Sequence, residues 1–304
     1  MQRVFSFILV IALVFLASRV LVRALPGDPA ENILAETGSR ISLSELRSEL
    51  GLDRPFWSAT LHDARRFAAG DFGKSISNGE RVADLLETRA WVTLKLAFMT
   101  LIFGLSLSLV LGLLAAHSCE NPRFIWADRA CSHLGVWMSA LPTPWLGPVL
   151  MYLLAVQIPL FPIASGERNE WSDLLLPSLT LALVFSGLWC RLIRERVKES
   201  LFLGSARGAR ARGLSEVRVL FKYGMIPVSG PLLAYLGSQA GTLLGGALVT
   251  ETIFNLRGLG TLLVESVHAR EYPVFEAAAF WVAFTSLLGT YAGDWANARL
   301  TRAE

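Results

Sequence analysis

The sequence predicts an all-α membrane protein of six transmembrane helices. A small helical external segment separates spans one and two, and a short cytoplasmic helix separates spans four and five. Three observations predict this. Six apolar runs recur along the chain, each near the roughly 20 residues a helix needs to cross the hydrocarbon layer. Of 304 residues, 53% are hydrophobic and only 17% charged, with a mean hydropathy of +0.47; average soluble domains are about a quarter charged. Finally, nine basic residues gather between Arg191 and Lys222 against Glu195, Glu199 and Glu216, with apolar runs on either side. Loops rich in Lys and Arg stay in the cytoplasm.

The first element, residues 1–25, carries the apolar run 4–25. Met1-Gln2-Arg3 and the apolar stretch behind it resemble a secretory leader. The run continues through Val20, Leu21 and Val22 with no small-x-small cleavage site after it, so it reads as a retained span. Arg19 and Arg23 are expected to snorkel to the outer interface. Residues 26–90 form the external segment. Ser42-Leu43-Ser44-Glu45 has the form of a capping box. Leu43, Leu46 and Leu50 recur behind it at helical spacing, and Gly51 suits a left-handed helix end. A second short helix is expected over residues 55–69, and the whole reads as a helical cap rather than a catalytic domain.

The remaining spans lie in a five-helix core over residues 91–296. They are 91–116, 133–160, 174–190, 228–253 and 274–296, followed by a tail at 297–304. Pro142, Pro144 and Pro148 predict kinks in the third span, Pro177 in the fourth and Pro231 in the fifth; a helix bundle tolerates them. The fourth run is the shortest, and its helix is expected to extend into Ser172 and Asp173 or through Arg191. The cytoplasmic loop 191–227 is strongly basic, as the short link 117–132 and the tail are more weakly. The opposite links carry few cations. Both termini are therefore expected in the cytoplasm.

Several classes of chemistry are excluded by the residues present. Phe72-Gly73-Lys74-Ser75 ends like a phosphate-binding loop, but Ala68 stands where that motif requires glycine. The four histidines are scattered, and Cys119, Cys131 and Cys190 lack metal-ligand or disulfide-framework spacing. No nucleophile elbow occurs. The residues therefore indicate no enzyme active site, cofactor or metal site. The net charge of +3 clusters beside apolar runs and gives no reason to invoke nucleic acid. The lipid bilayer is the expected surroundings.

Polar and small residues inside the spans come next, because intramembrane polarity is costly. Thr180, Ser238, Gln239 and Thr242 either line a polar pathway or hydrogen-bond between helices. Gly237, Gly241 and Gly245 have small-xxx-small spacing, which suits close helix approach. Packing within the chain and a subunit interface both fit. Lys95, near an outer end, is expected to snorkel. Glu251 and Asp294 stand apart from other buried carboxylates, so a proton relay is not indicated. Uphill transport would then need energy from a partner.

Several motifs together carry a family resemblance. Leu25-Pro26-Gly27-Asp28-Pro29, Leu50-Gly51-Leu52-Asp53-Arg54-Pro55 and Gly70-Asp71-Phe72-Gly73-Lys74-Ser75 come first. Leu141-Pro142-Thr143-Pro144-Trp145-Leu146-Gly147, Leu176-Pro177-Ser178-Leu179-Thr180-Leu181 and Thr250-Glu251-Thr252-Ile253-Phe254 follow, then Gly258-Leu259-Gly260 and Arg270-Glu271-Tyr272-Pro273. In number and order they resemble the permease subunits of bacterial ABC importers for dipeptides, oligopeptides and nickel. Ala209-Arg210-Ala211-Arg212-Gly213-Leu214-Ser215 resembles that family's coupling motif, a short cytoplasmic helix seated in a cleft of the ATPase. Trp91, Arg257, Gly204-Ser205 and the added Pro227 depart from the family pattern.

The resemblance implies a multi-pass protein of the bacterial inner membrane that forms half of a translocation pathway by alternating access. A separate cytoplasmic ABC ATPase would hydrolyse the ATP. A second homologous permease and an extracytoplasmic substrate-binding protein are the other implied partners. Peptide is the expected substrate, with nickel or another small solute as the alternative. A membrane scaffold whose basic loop is a generic docking site is the more remote reading.

Overall fold

A computed structural model describes residues 2–24, 42–44, 47, 55–77, 79–118, 125–162 and 170–300. Helices dominate these residues, in the order α1 (Gln2–Ala24), α2 (Phe56–Ala68), α3 (Val82–Ser118), α4 (Ile125–Ala140), α5 (Thr143–Met151) and α6 (Trp171–Leu201). Then come α7 (Gly204–Ala211), α8 (Glu216–Val219), α9 (Ile226–Ser238), α10 (Ala240–Ile253), α11 (Leu259–His268) and α12 (Tyr272–Leu300). Two π-helical turns, Tyr152–Gln157 and Leu220–Met225, follow α5 and α8.

Among the described residues, four helical stretches are long and apolar enough to cross a membrane: Val82–Ser118, Trp171–Leu201, Glu216–Ser238 and Tyr272–Leu300. A fifth results if Asp128–Ala140 and Thr143–Gln157, bent by 99°, make one span. The expected count of six is thus not reproduced. The third run breaks at Leu141-Pro142 because proline disfavours helical conformation in the residue before it, and Pro142 is extended, with φ −66° and ψ 128°. The fifth expected run, 228–253, is interrupted at Gln239, and the membrane-length stretch there begins upstream at Glu216. The first run lies in the 23-residue α1, whose apolar stretch Phe5–Leu21 is shorter than the other spans.

Two further expectations concern helix ends. The helix anticipated over 55–69 is α2, which starts after the extended Pro55. The fourth run extends at both ends: the Asp173 side chain accepts a 3.3 Å hydrogen bond from the Glu170 amide at its start, and the helix continues past Arg191 to Leu201. Of the anticipated capping box at 42–45, Glu45 lies outside the described residues, as do Leu46, Leu50 and Gly51. Lys95 sets its ammonium 5.5 Å from the Trp171 ring centroid, a cation–π contact.

The chain divides into two compact units. The first comprises Met1–Val92 and Arg257–Thr285. Its core is Val82, Leu86, Ala90, Leu259, Leu262, Val274, Ala277 and Ala278. Phe67 meets Phe15, Phe72 and Phe280 in edge-on ring contacts, a favoured aromatic geometry. Arg19 does not snorkel as expected. Its guanidinium donates to both carboxylate oxygens of Glu276, at 3.2 and 3.0 Å, and to Asp63 of α2.

The same unit explains the Gly-Lys-Ser sequence. Lys74 and Arg81 form an isolated antiparallel bridge, so the segment turns back as a tight hairpin. The buried Glu271 carboxylate accepts bonds from Ser75 Oγ (3.1 Å), the Ile76 amide (2.8 Å) and the Ser77 amide (2.6 Å). Hydrogen bonds to charged groups are worth about 1.5–3 kcal/mol each. They support an uncommon neighbour, since Arg270 closes α11 with φ +54°, a conformation that costs a non-glycine residue roughly 1–2 kcal/mol. Before the hairpin, the Arg66 side chain and then the Gly73 amide hydrogen-bond Asp71. They hold its carboxyl below the usual carboxylate range.

The second unit comprises Thr93–Leu256 and Ser286–Glu304. Here α4 and α6 cross in backbone contact: a Cβ added at Gly187 would lie 2.3 Å from the Gly135 carbonyl oxygen and 2.7 Å from the Ser139 amide. Glycine is required at such a crossing because any side chain would push the helices apart. Arg194 locks the crossing further down with a two-pronged ion pair to Asp128. The apolar core Ala116, Ile193, Val197, Leu201, Ala206, Ala209, Val219, Val228 and Leu232 ties α3, α6, α7, α8 and α9 together. Glu251 is fully buried on α10 and accepts a 2.6 Å hydrogen bond from Thr93.

Candidate functional site: the basic helix α7 and its turn

The strongest sequence signal, Ser205 to Ser215, folds as α7 followed by a tight reversal into α8. Alanine at 206 and 209 decides which face turns inward. Both are fully buried against Ile193, Val197 and Leu201 of α6 and Val219 of α8. Their small side chains let the short helix lie close to its own chain, so Ala209 faces its own core rather than outward. Ala211 is on the exposed side.

Gly213 ends the helix with φ +77°. Its amide donates to the Arg210 carbonyl at 2.9 Å, and the Leu214 amide donates to the Ala209 carbonyl at 3.2 Å. This pair of bonds is the Schellman closure, which satisfies carbonyls at the helix end and requires a left-handed residue. Half-buried Leu214 packs on the core beneath α7, the apolar contact that accompanies such closures. Arg212 is the exposed cap residue before the turn, and exposed Ser215 precedes α8 without making a side-chain cap bond.

The arginines divide by role. Arg207 donates to the Phe202 carbonyl at 3.2 and 2.8 Å, satisfying the end of α6. Arg210 pairs with Glu216 at 3.1 and 3.2 Å and spans the turn. Arg212 reaches the Tyr223 hydroxyl at 3.4 Å and stays exposed, as do Arg218 and Lys222. Phe202 and Leu203 before α7, and Val217 and Phe221 beside Arg218 and Lys222 in the chain, are exposed apolar side chains. The result is a preformed cationic ridge with apolar shoulders, suited to an acid-rimmed groove on another protein. Composition pointed to the cations alone. The shoulder residues were readable as apolar letters within the basic link, and the Arg210–Glu216 pair, six residues apart across a turn, follows no helical spacing.

The second group of predicted residues lies on α6, α9 and α10 and at the break between the last two. Thr180 is buried, and its hydroxyl donates to the Leu176 carbonyl of its own helix at 2.9 Å. Gly237 packs within the chain: an added Cβ would lie 2.6 Å from Gly293 Cα and 2.7 Å from the Gly289 carbonyl oxygen. Gly241 is exposed, with only Ser286 nearby at 3.6 Å from an added Cβ. Exposed Ser238 donates to the Tyr235 carbonyl at 2.7 Å, Gln239 marks the break between α9 and α10, exposed Thr242 lies in the first turn of α10, and Gly245 lies further along that helix. Among the described residues, no group of three or more His, Cys, Asp or Glu is placed to hold a metal ion.

Residues 108–303 match the family model described as binding-protein-dependent transport system inner membrane component. The glutathione transport system permease protein GsiC of Escherichia coli strain K12 is 33% identical over 256 residues, covering 84% of this chain and 82% of that protein. Its counterpart from Salmonella typhi is 34% identical over 272 residues, covering 90% and 86%. The Shigella dysenteriae serotype 1 protein of that name is 33% identical over 256 residues, covering 84% of this chain and 82% of that protein.

Proposed function

This chain belongs to the binding-protein-dependent transport system inner membrane components, the permease subunits of ABC importers, and we propose that it forms half of a peptide translocation pathway powered through α7. The observation that carries this reading is the closed α7 turn. Its inner face is spent on the chain's own core, and its outer face offers Arg212, Arg218 and Lys222 between exposed apolar side chains. A cytoplasmic ATPase cleft is the proposed occupant. Movement of that cleft would be transmitted through the shared core beneath α7 to α6 and α9, giving alternating access.

A peptide substrate is proposed because the relatives are glutathione permeases by name, and glutathione is a tripeptide. The extracytoplasmic binding protein would deliver it. A second, related permease would supply the other half of the pathway. We place both termini and α7 in the cytoplasm and residues 26–90 outside, on the charge asymmetry of the short loops. The deciding experiment reconstitutes the chain in proteoliposomes with the proposed second permease, ATPase and binding protein. Peptide-loaded binding protein should stimulate ATP hydrolysis and peptide accumulation together. Hydrolysis that ignores the loaded binding protein, with no accumulation, would refute the reading.

A further inference from the structure

The α4–α6 crossing carries charge beyond its own needs. Asp128 is satisfied by the two-pronged bond from Arg194. Arg129 follows Asp128 on α4, and Lys198 lies one helical turn beyond Arg194 on α6. Arg191 lays its stem across the same crossing, its Cγ 3.8 Å from where a Cβ on Gly135 would be. Four cations thus gather at this end of the two helices against Asp128 and the exposed Glu195. Among the described residues, Arg129, Arg191 and Lys198 make no ion pair.

An apolar face begins beside this cluster. Trp126 and Trp137 of α4 are 66% and 71% exposed, with Leu134 also exposed. Eleven residues are about three helical turns, so the two tryptophans stand in line roughly 16 Å apart along the helix. Ala130 and His133 lie between them on the same exposed face. Tryptophan next to Lys and Arg at a span end is typical of the headgroup level. Cationic clusters between helices on the cytoplasmic side attract anionic lipid headgroups. Charge complementarity and the exposed tryptophan face beside it favour one occupant with a negative head and hydrocarbon tails.

We propose that Arg129, Arg191 and Lys198, with the Trp126–Trp137 face of α4, hold one anionic phospholipid of the inner leaflet. The headgroup phosphate lies among the three cations and the acyl chains run along the tryptophan face. The leaflet assignment rests on the cytoplasmic placement of α7 proposed above; the binding chemistry does not.

The test isolates the complete transporter in mild detergent from nanodiscs of equal parts phosphatidylcholine and phosphatidylglycerol, and measures retained lipid by native mass spectrometry. Phosphatidylglycerol should be retained over phosphatidylcholine. Since each surface cation is worth about fivefold, Arg129→Gln with Lys198→Gln should reduce that retention about twenty-five-fold. Arg129→Lys should preserve it, which separates loss of charge from loss of folding. Inorganic phosphate at matched ionic strength should not displace the lipid; displacement would show that the acyl face contributes nothing and would overturn the assignment. Unchanged retention in the double variant would also overturn it. So would release of the second permease or the ATPase by that variant, because the cluster would then be a protein contact. A transporter that retains phosphatidylglycerol as expected but fails to couple hydrolysis to loaded binding protein would sink the transport reading while leaving the lipid site standing.

Discussion

Gly213 is where a single substitution separates the fold from the proposed coupling role. Its φ of +77° lies in the left-handed region, and no heavy atom lies within 4 Å of an added Cβ. A substitution there meets no clash, so its cost is the backbone term alone, roughly 1–2 kcal/mol for a non-glycine residue. That cost shifts the equilibrium between closed and open turn about 5–30-fold and is too small to unfold a chain whose apolar core lies elsewhere. Gly213→Asn should be mildest because asparagine tolerates this conformation, Gly213→Ala intermediate, and Gly213→Val worst because branching at Cβ adds crowding. Membrane abundance should be equal across the series. Peptide transport and binding-protein-stimulated ATP hydrolysis in proteoliposomes should fall in the order Asn, Ala, Val. Full coupling in Gly213→Val would refute both the docking role and the argument that the closed turn is needed for it.

The other expectations are simpler. Ser77 and Ser205 are both exposed; in a cysteine-free background, Ser77→Cys should react with an impermeant thiol reagent in intact cells and Ser205→Cys should not, and the reverse pattern would overturn the orientation. Gly237→Ala should lower the melting temperature of the purified chain, because its Cβ would press on Gly293 and Gly289 and overpacking costs typically 1–3 kcal/mol, whereas Gly241→Ala should leave it unchanged; equal melting of both would disprove the close approach. For Asp71, whose folded-state carboxyl is held low, the stabilising contribution is present above the ordinary carboxylate value near 4. It is lost as pH falls through the lower folded value. Hydrogen exchange at Gly73 should therefore accelerate only in that acid window, and Asp71→Asn should abolish the acceleration.

What the sequence made legible was periodic or local. Apolar runs marked most of the helices because a span needs length and little charge. The glycine in Ala-Arg-Ala-Arg-Gly-Leu-Ser marked a helix end, since only a residue free of Cβ adopts φ +77° cheaply. Prolines announced a kink in the third span, but not a 99° bend, nor that α5 would pack so closely on α10 that a Cβ at Gly147 would lie 3.2 Å from Ile253 Cγ2, over a hundred residues away. The Glu271 anchor was equally hidden, since its partners at 75–77 are 194–196 residues distant. Arg19 illustrates the same limit. An arginine near a span end is ordinarily read as snorkelling, and nothing local reveals that Glu276 will be buried beside it.

The basic link shows how counting charges misjudges a surface. Nine cations make the segment look like a broad positive patch, yet the fold uses several of them internally. Arg194 is committed to Asp128, Arg207 to the end of α6, and Arg210 to Glu216. Exposed ion pairs are worth only about 0–1 kcal/mol, so the Arg210–Glu216 bond adds little stability. Its effect is geometric, because it joins α7 to α8 across the reversal that Gly213 permits. The residues left for the proposed partner are the exposed Arg212, Arg218 and Lys222, with exposed Val217 and Phe221 interleaved along the chain and Phe202 exposed at the end of α6. Recognition at such a surface is set by the apolar shoulders and by the rigidity of the turn, with the cations steering approach and register. A loop of the same composition without the closed turn would keep the charge and lose the shape, which is why composition alone identified the segment but not the part of it that faces outward.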